Sequence, residues 1–157
     1  MKHLLSLLLF LLLTGASTKT YSQNNNIGLN LSYNSISGLN GEVRYEKMIQ
    51  PRWLLSTGTA YNFRFAHSFN VGFKYDLLKN TKFSLFTGMD YKFESLKYSE
   101  SDSKRITQNS LEIPMEFRYH LSNKMSLNAG LSIPFSLDKG REVEDLFIFR
   151  FGAIRRF

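Results

Sequence analysis

The chain has 157 residues, no cysteine and a formal net charge of +7 at pH 7. This length accommodates one domain rather than two. The missing cysteine excludes disulfide bonds and thiolate metal sites, and the modest positive charge gives no argument for a nucleic-acid partner.

The first predicted element is a cleaved secretory signal peptide. Lys2 and His3 precede an apolar run over residues 4–13, and small residues follow it. The run is too short for a membrane-spanning helix, which needs about 20 residues, and its charge-then-leucine pattern is typical of a signal peptide. We predict a signal peptide over residues 1–22 and a single domain over residues 23–157, with cleavage a few residues earlier as an open alternative.

Eight later segments alternate apolar and polar residues. In one of them Leu111, Ile113, Met115, Phe117 and Tyr119 form the apolar row. A period of two residues predicts β-strands. Most of the segments are about as long as a tilted strand must be to cross a bilayer. They cover residues 27–33, 41–48, 53–63, 69–75, 83–93, 111–119, 125–135 and 147–157.

The connections between these strands alternate in length. Those at 48–51, 76–81 and 121–124 are short, whereas those at 95–109 and 137–145 are longer. Short turns on one side and longer loops on the other are typical of outer-membrane barrels. The sequence therefore predicts an all-β fold, an eight-stranded antiparallel up-and-down transmembrane β-barrel.

The two faces of the predicted strands differ in polarity. One face is apolar, with aromatic residues toward the strand ends, as at membrane interfaces, and the other carries glycine, small polar and charged residues. Because an eight-stranded barrel is narrow, we expect the polar face to point inward, where acids and bases nearly balance. A soluble sandwich would need the aromatic residues in a core, and a lipocalin-like barrel would have the faces reversed. The expected lumen charge network, which would leave no open pore, consists of Glu42, Arg44, Glu46, Arg64, Lys74, Asp90, Lys92, Glu112, Glu116, Arg118 and Arg150.

The chain ends in FRFGAIRRF, a glycine followed by alternating residues and a terminal aromatic residue. This ending resembles the C-terminal signal of outer-membrane barrels, whose last strand is read by the barrel-assembly machinery. The resemblance implies that Gly152 and Phe157 act as an assembly signal. Arg155 departs from the pattern, since an apolar residue is usual there.

The predicted mature chain as a whole is similar to the small OmpA/OmpX-like and PorT-like outer-membrane barrel families. The stretch SLEIPMEFRY resembles a strand common in the PorT-like group. The resemblance implies a place in the outer membrane of a Gram-negative cell, with lipid and lipopolysaccharide as surroundings. We expect a monomer with a structural or surface-interaction role and no cofactor. His67 has no cluster of ligands around it in the sequence, so we expect no metal site.

One motif suggests catalysis. YHLSN places His120, Ser122 and Asn123 in an H-x-S-N arrangement that resembles the motif of lipid A deacylase barrels. Nucleophilic catalysis of that kind needs a third group to orient the histidine. No acid follows before Asp138, so the match is incomplete.

Two prolines suggest a different structural basis for an enzyme. Pro114 and Pro134 fall in neighbouring predicted strands, where each removes a ladder hydrogen bond. This predicts either a local bulge or a lateral gap between strands six and seven, which resembles in position the seam of the lipid A palmitoyltransferase barrel. We therefore predict a non-enzymatic barrel, with a lipid A acyl hydrolase or acyltransferase-like enzyme as the alternative.

Overall fold

The computed structural model describes residues 25–34, 38–62, 67–96, 106–138 and 147–157. In these ranges, no helix is long and apolar enough to cross a membrane. The described residues form eight strands: β1 (Asn25–Asn34), β2 (Gly38–Gln50), β3 (Trp53–Asn62), β4 (His67–Lys79), β5 (Phe83–Leu96), β6 (Ile106–His120), β7 (Met125–Ser136) and β8 (Ile148–Arg156). The predicted signal peptide and Arg64 lie outside the described residues.

The eight strands close into a barrel. Each strand pairs antiparallel with the next one in the chain, and β8 returns to pair with β1 over residues 26–33. The final residue extends this seam, because the Phe157 N–H donates to the carbonyl of Asn25 at 2.9 Å. The predicted eight-stranded antiparallel up-and-down barrel is confirmed.

β4 is longer than the alternation predicts. The segment 76–81 was expected to be a turn, but β4 continues to Lys79 and the turn is confined to residues 80–82. The register of β4 against β5 shifts between Asp76 and Leu78, which marks a β-bulge. Two consecutive leucines in the bulge break the period of two. The alternation therefore gives no signal for the last residues of the strand.

β5 and β6 also extend further than expected. The long connection was predicted over 95–109, whereas the strands leave only residues 97–105 between them. Glu94 lies opposite Gln108 and Ser95 opposite Thr107 in this extension. Such polar pairs give no alternation signal, but the backbone ladder does not require apolar side chains.

The barrel wall has a buried polar face and an exposed apolar face. Arg44, Lys74 and Glu46 are at most 2% exposed. On the other face, Phe73 and Phe149 are 52% and 56% exposed. The polar rows therefore line the interior, and the apolar rows form the outer wall.

Two glycines let neighbouring strands approach closely. A Cβ atom at Gly88 would overlap the carbonyl oxygen of Phe73 on β4, and one at Gly152 would overlap the carbonyl oxygen of Leu29 on β1. Because the overlapped atoms belong to the backbone, they cannot move aside as a flexible side chain could. Glycine is therefore required at these positions by the packing of the wall.

Candidate functional site in the barrel interior

The middle of the interior is filled by an ion-pair network that crosses the lumen. Glu46 on β2 and Glu116 on β6 are its shared acceptors. Lys74 Nζ lies 3.0 Å from a Glu46 carboxylate oxygen and 2.7 Å from one of Glu116. Arg118 lies 2.6 Å from oxygens of the same two carboxylates. Because β2, β4 and β6 are not neighbours, these contacts bridge the lumen instead of following one ladder.

Arg44 connects this middle network to a second cluster nearer the longer connections. It lies 2.8 Å from Glu116 and 3.0 Å from Glu42, which in turn lies 3.5 Å from Arg150. Arg150 donates hydrogen bonds to Glu112 and to Ser132.

Lys92 completes the second cluster. Its Nζ lies 3.2 Å from Glu94 and 3.6 Å from Glu112. These separations exceed the 2.6–3.0 Å contacts that Lys74 and Arg118 make with Glu46 and Glu116. Lys92 is therefore less closely paired than Lys74 and Arg118.

The described members of the expected lumen set are all buried. Five are acids and five are bases: Glu42, Glu46, Asp90, Glu112 and Glu116 against Arg44, Lys74, Lys92, Arg118 and Arg150. Asp90 accepts a hydrogen bond from Ser56 Oγ at 3.2 Å. Removing one partner of a buried pair leaves an uncompensated charge, which destabilises a protein by about 3–5 kcal/mol. Balance within this set is thus a physical requirement for filling the interior with charge.

Sequence reasoning missed several interior residues, among them Asp76 and Phe86. Asp76 is 4% exposed and was assigned to a turn, although it continues the inward row of Lys74. Phe86 is 7% exposed, and the Arg118 guanidinium carbon lies 4.3 Å from its ring centroid. The inward row Ser84, Phe86, Gly88 could have identified this phenylalanine, because it continues the period of two.

A cavity opens below the network, at the end that carries the short turns. We call it the mouth cavity; it has a volume of about 210 Å³. Its lining combines several apolar side chains with hydroxyl and amide side chains, one carboxylate and several basic groups. The lining residues are Asn26, Met48, Leu54, Asp76, Asn80, Thr81, Ser84, Phe86, Arg118, His120, Asn123, Lys124, Ser126, Ile154 and Arg156.

His120 joins three strands at the wall of the mouth cavity. Its Nε2 lies 3.0 Å from the hydroxyl of Ser84 on β5, and its Nδ1 lies 2.8 Å from the hydroxyl of Ser126 on β7. Ser122 of the H-x-S-N motif is instead exposed, and its hydroxyl accepts hydrogen bonds from the backbone N–H groups of Lys124 and Met125. The motif therefore forms a turn and does not bring its serine onto the histidine.

Pro114 interrupts a different ladder from the one expected. β6 pairs with β7 continuously over residues 110–120, across both Pro114 and Pro134. The β5–β6 pairing is interrupted instead, between Thr87 opposite Met115 and Asp90 opposite Glu112. Pro114 lies in this interruption and has no N–H to offer β5. The register is the same on both sides, so the seam is not a bulge.

The predicted assembly signal lies where the barrel closes. Gly152 pairs with Asn30 across the β1–β8 seam, and the Arg155 guanidinium carbon lies 5.3 Å from the centroid of the Phe157 ring. Whether these residues guide assembly remains a prediction. Among the described residues, no three histidine, aspartate or glutamate side chains are grouped so that they could hold a metal ion.

Known families and structures resemble the chain at the level of the whole barrel. The family model described as outer membrane protein beta-barrel domain matches residues 8–146. No curated protein matches the chain. The N-terminal barrel domain of Pseudomonas aeruginosa OprF superimposes with a TM-score of 0.74 at 11% identity, covering 87% of this chain and 98% of that one.

Two further solved structures have the same architecture. Neisserial surface protein A superimposes with a TM-score of 0.55 at 13% identity, over 85% of this chain and 93% of that one. Yersinia pestis Ail, determined in a phospholipid bilayer nanodisc, gives a TM-score of 0.55 at 12% identity, over 85% and 99% of the two chains. At these identities the likeness shows the fold.

Proposed function

The chain belongs to the outer membrane protein beta-barrel domain family and resides in the outer membrane, and from this premise we propose that it is a non-enzymatic barrel with a structural or surface-interaction role and a closed lumen. Its apolar outer wall contacts lipid. In the proposed orientation the short turns face the periplasm and the longer connections face outward. We further propose that it acts as a monomer, is exported by a signal peptide over residues 1–22, and uses its last strand as a signal for the assembly machinery.

The observation that supports a closed lumen is the set of ion pairs that connect β2, β4 and β6. Arg118 reaches Glu46, and Lys74 reaches Glu116, from strands that do not adjoin. Side chains that are at most 4% exposed fill this layer. A hydrated ion would have to separate these pairs in order to pass, and breaking a buried pair is strongly unfavourable.

A lipid-modifying enzyme has less support. The continuous β6–β7 pairing argues against lipid access at the expected seam. His120 is engaged by Ser84 and Ser126, and Ser122 is engaged by the turn backbone, so the residues of the motif do not form a nucleophile and base pair.

Planar-bilayer recording tests the closed lumen. We expect the refolded protein to give little or no steady conductance. The charge-neutral double variant Arg44→Ala/Glu116→Ala removes a shared acceptor of the middle network together with one of its cations, and it should raise the conductance because space opens without a change in net charge. The control Arg52→Ala alters an exposed turn residue and should behave like the unmodified protein. Large, stable channels in the unmodified protein would overturn the proposal.

A deletion strain distinguishes the proposed role from the enzymatic alternative. Loss of a structural or surface protein should change envelope integrity or adhesion and leave the acylation of lipid A unchanged. Mass spectrometry of lipid A gives the second readout. An altered acyl pattern that is restored by the unmodified gene and not by a His120→Ala variant would favour the enzyme.

A further inference from the structure

The wall of the mouth cavity includes buried apolar side chains, and its rim is basic. Leu54, Phe86 and Ile154 are buried at 2%, 7% and 4% exposure and form its apolar part. Lys124 and Arg156 contribute the basic part. These two residues are neighbours because the backbone N–H of Arg156 donates a hydrogen bond to the backbone carbonyl of Lys124 at 2.8 Å. The cavity therefore offers apolar surface as well as a basic rim, beside buried hydroxyl, amide and carboxylate groups.

The basic groups of the cavity are not equivalent. Arg118 is neutralised by Glu46 and Glu116, each 2.6 Å away. Neither Lys124 nor Arg156 has an ion-pair partner among the described residues. These two cations at the rim consequently keep their charge available to a ligand.

The charges at the rim favour an anionic ligand. Among the described lining residues Asp76 carries the acidic charge, and it is buried whereas Lys124 is exposed. The rim therefore presents positive charge that an anion can approach. The volume of about 210 Å³ lies below the usual range of drug-sized pockets, about 300–1,000 Å³. A ligand of few atoms fits this space, and a short apolar chain on it can contact the buried apolar side chains.

We propose that the mouth cavity binds a small organic carboxylate. The carboxylate lies between Lys124 and Arg156, and a short alkyl chain contacts Leu54, Phe86 and Ile154. Charge-assisted hydrogen bonds from an ammonium and a guanidinium group suit a carboxylate. An inorganic anion would satisfy the rim cations but would make no contact with Leu54, Phe86 and Ile154.

A titration with butyrate tests this site in the folded barrel. The protein is placed in phospholipid nanodiscs, and NMR follows the methyl groups of Leu54 and Ile154 and the ring of His120. Butyrate should give saturable shifts of these signals. The comparators 1-butanol and butylamine have the same chain length but lack the negative charge, and they should give only small shifts that do not saturate.

Matched double variants identify the anchoring charges. Lys124→Gln/Arg156→Gln should weaken butyrate binding about five- to tenfold, as expected for two solvent-accessible ion pairs. Arg52→Gln/Lys82→Gln removes two exposed cations from the other short turns, changes the net charge equally and should alter binding less than about twofold. All four positions lie at the surface end of the barrel, so these substitutions leave the wall intact.

A filling variant provides an independent test of the location. Ser126→Leu places a larger side chain in the lining and keeps both rim cations, so it should abolish the butyrate shifts. The proposal is overturned if butylamine binds as well as butyrate, or if the two double variants weaken binding equally. It is also overturned if the butyrate shifts survive in the Ser126→Leu variant. Folding of that variant is checked by its gel mobility before and after heating, which should match that of the unmodified barrel. The absence of saturable butyrate shifts in the unmodified protein would also overturn the proposal.

Discussion

The middle of the barrel and its short-turn end are built by the same strands, yet one is filled and the other is hollow. At mid-height the inward positions carry long charged side chains such as Arg44, Lys74 and Glu116, which meet across the lumen. At the short-turn end the inward positions include Ser84 and Ser126, and a cavity of about 210 Å³ remains. The strand number fixes the width of both layers.

This contrast shows that side-chain length and direction both decide where a narrow barrel is closed, because long side chains such as Phe86 and Arg118 also line the cavity. Two long side chains from opposite strands can meet across the lumen, whereas two serines cannot. The serines instead bond to His120, which is held at the wall between them. A plug and a recess can therefore follow one another along the same inward rows.

The largest expected difference between the two regions is in stability. Glu116→Ala removes an acceptor shared by Arg44, Lys74 and Arg118, and it should lower the free energy of unfolding by about 3–5 kcal/mol, because buried cations lose their partner. Asn123→Ala at the exposed mouth should change it by less than about 0.5 kcal/mol. Urea unfolding of the barrel in lipid vesicles measures both. Similar values for the two variants would show that the middle network does not stabilise the barrel.

Close strand packing gives a second contrast, between the middle of the wall and the rim. Gly88→Ala should destabilise the barrel by about 1–3 kcal/mol, because the new methyl group overlaps the Phe73 carbonyl. Gly41→Ala is the matched control, since the nearest atom to its added Cβ is 4.0 Å away. The same unfolding assay compares them, and a Gly88→Ala barrel as stable as the control would mean that β4 and β5 have room to separate.

The C-terminal residue allows the stability of the folded barrel to be compared with the efficiency of its assembly in cells. Phe157 is partly exposed, and its deletion should reduce the stability of the folded barrel by no more than about 1–3 kcal/mol. If the last strand is the proposed assembly signal, the same deletion should lower the amount of protein in the outer membrane of cells while folding into detergent in vitro proceeds nearly unchanged. Immunoblots of membrane fractions beside in vitro refolding yields provide the two measurements. Unchanged cellular levels would restrict Phe157 to an interfacial role.

The smallest expected effect concerns the histidine of the mouth cavity. Ser126→Ala removes the hydroxyl that lies 2.8 Å from His120 Nδ1 and should destabilise the barrel by about 0.5–1.5 kcal/mol. It should also shift the NMR signals of the His120 ring. Ser122→Ala, in the adjacent turn, should leave the ring signals unchanged, because Ser122 bonds to turn backbone instead. A ring shift of equal size in the Ser122 variant would contradict this geometry.

The fold was predictable because alternation is a local property of the chain. Each of the eight predicted rows corresponds to one strand, and the closed antiparallel order is confirmed. The errors occurred where alternation stops being informative. The bulge at 76–78 interrupts the period of two, and the extension of β5 and β6 toward 97–105 consists largely of polar residues on both faces.

The site was predictable only in part. The inward position of charges such as Glu46 and Arg118 followed from the rows, but the identity of their partners did not. Arg118 lies 2.6 Å from Glu46, although the two residues are 72 positions apart in the chain. Asp76 was missed because the bulge had been interpreted as a turn.

The sequence by itself determined which residues form strands, which face of each strand is polar, and that acids and bases nearly balance on that face. The tertiary structure decided which charges meet, which ladder Pro114 interrupts, and where the interior is left hollow. The physical reason is that polarity and period belong to single strands, whereas pairing across a lumen depends on the relative height of strands that are not neighbours. That height follows from the stagger of the closed barrel, which no single segment encodes.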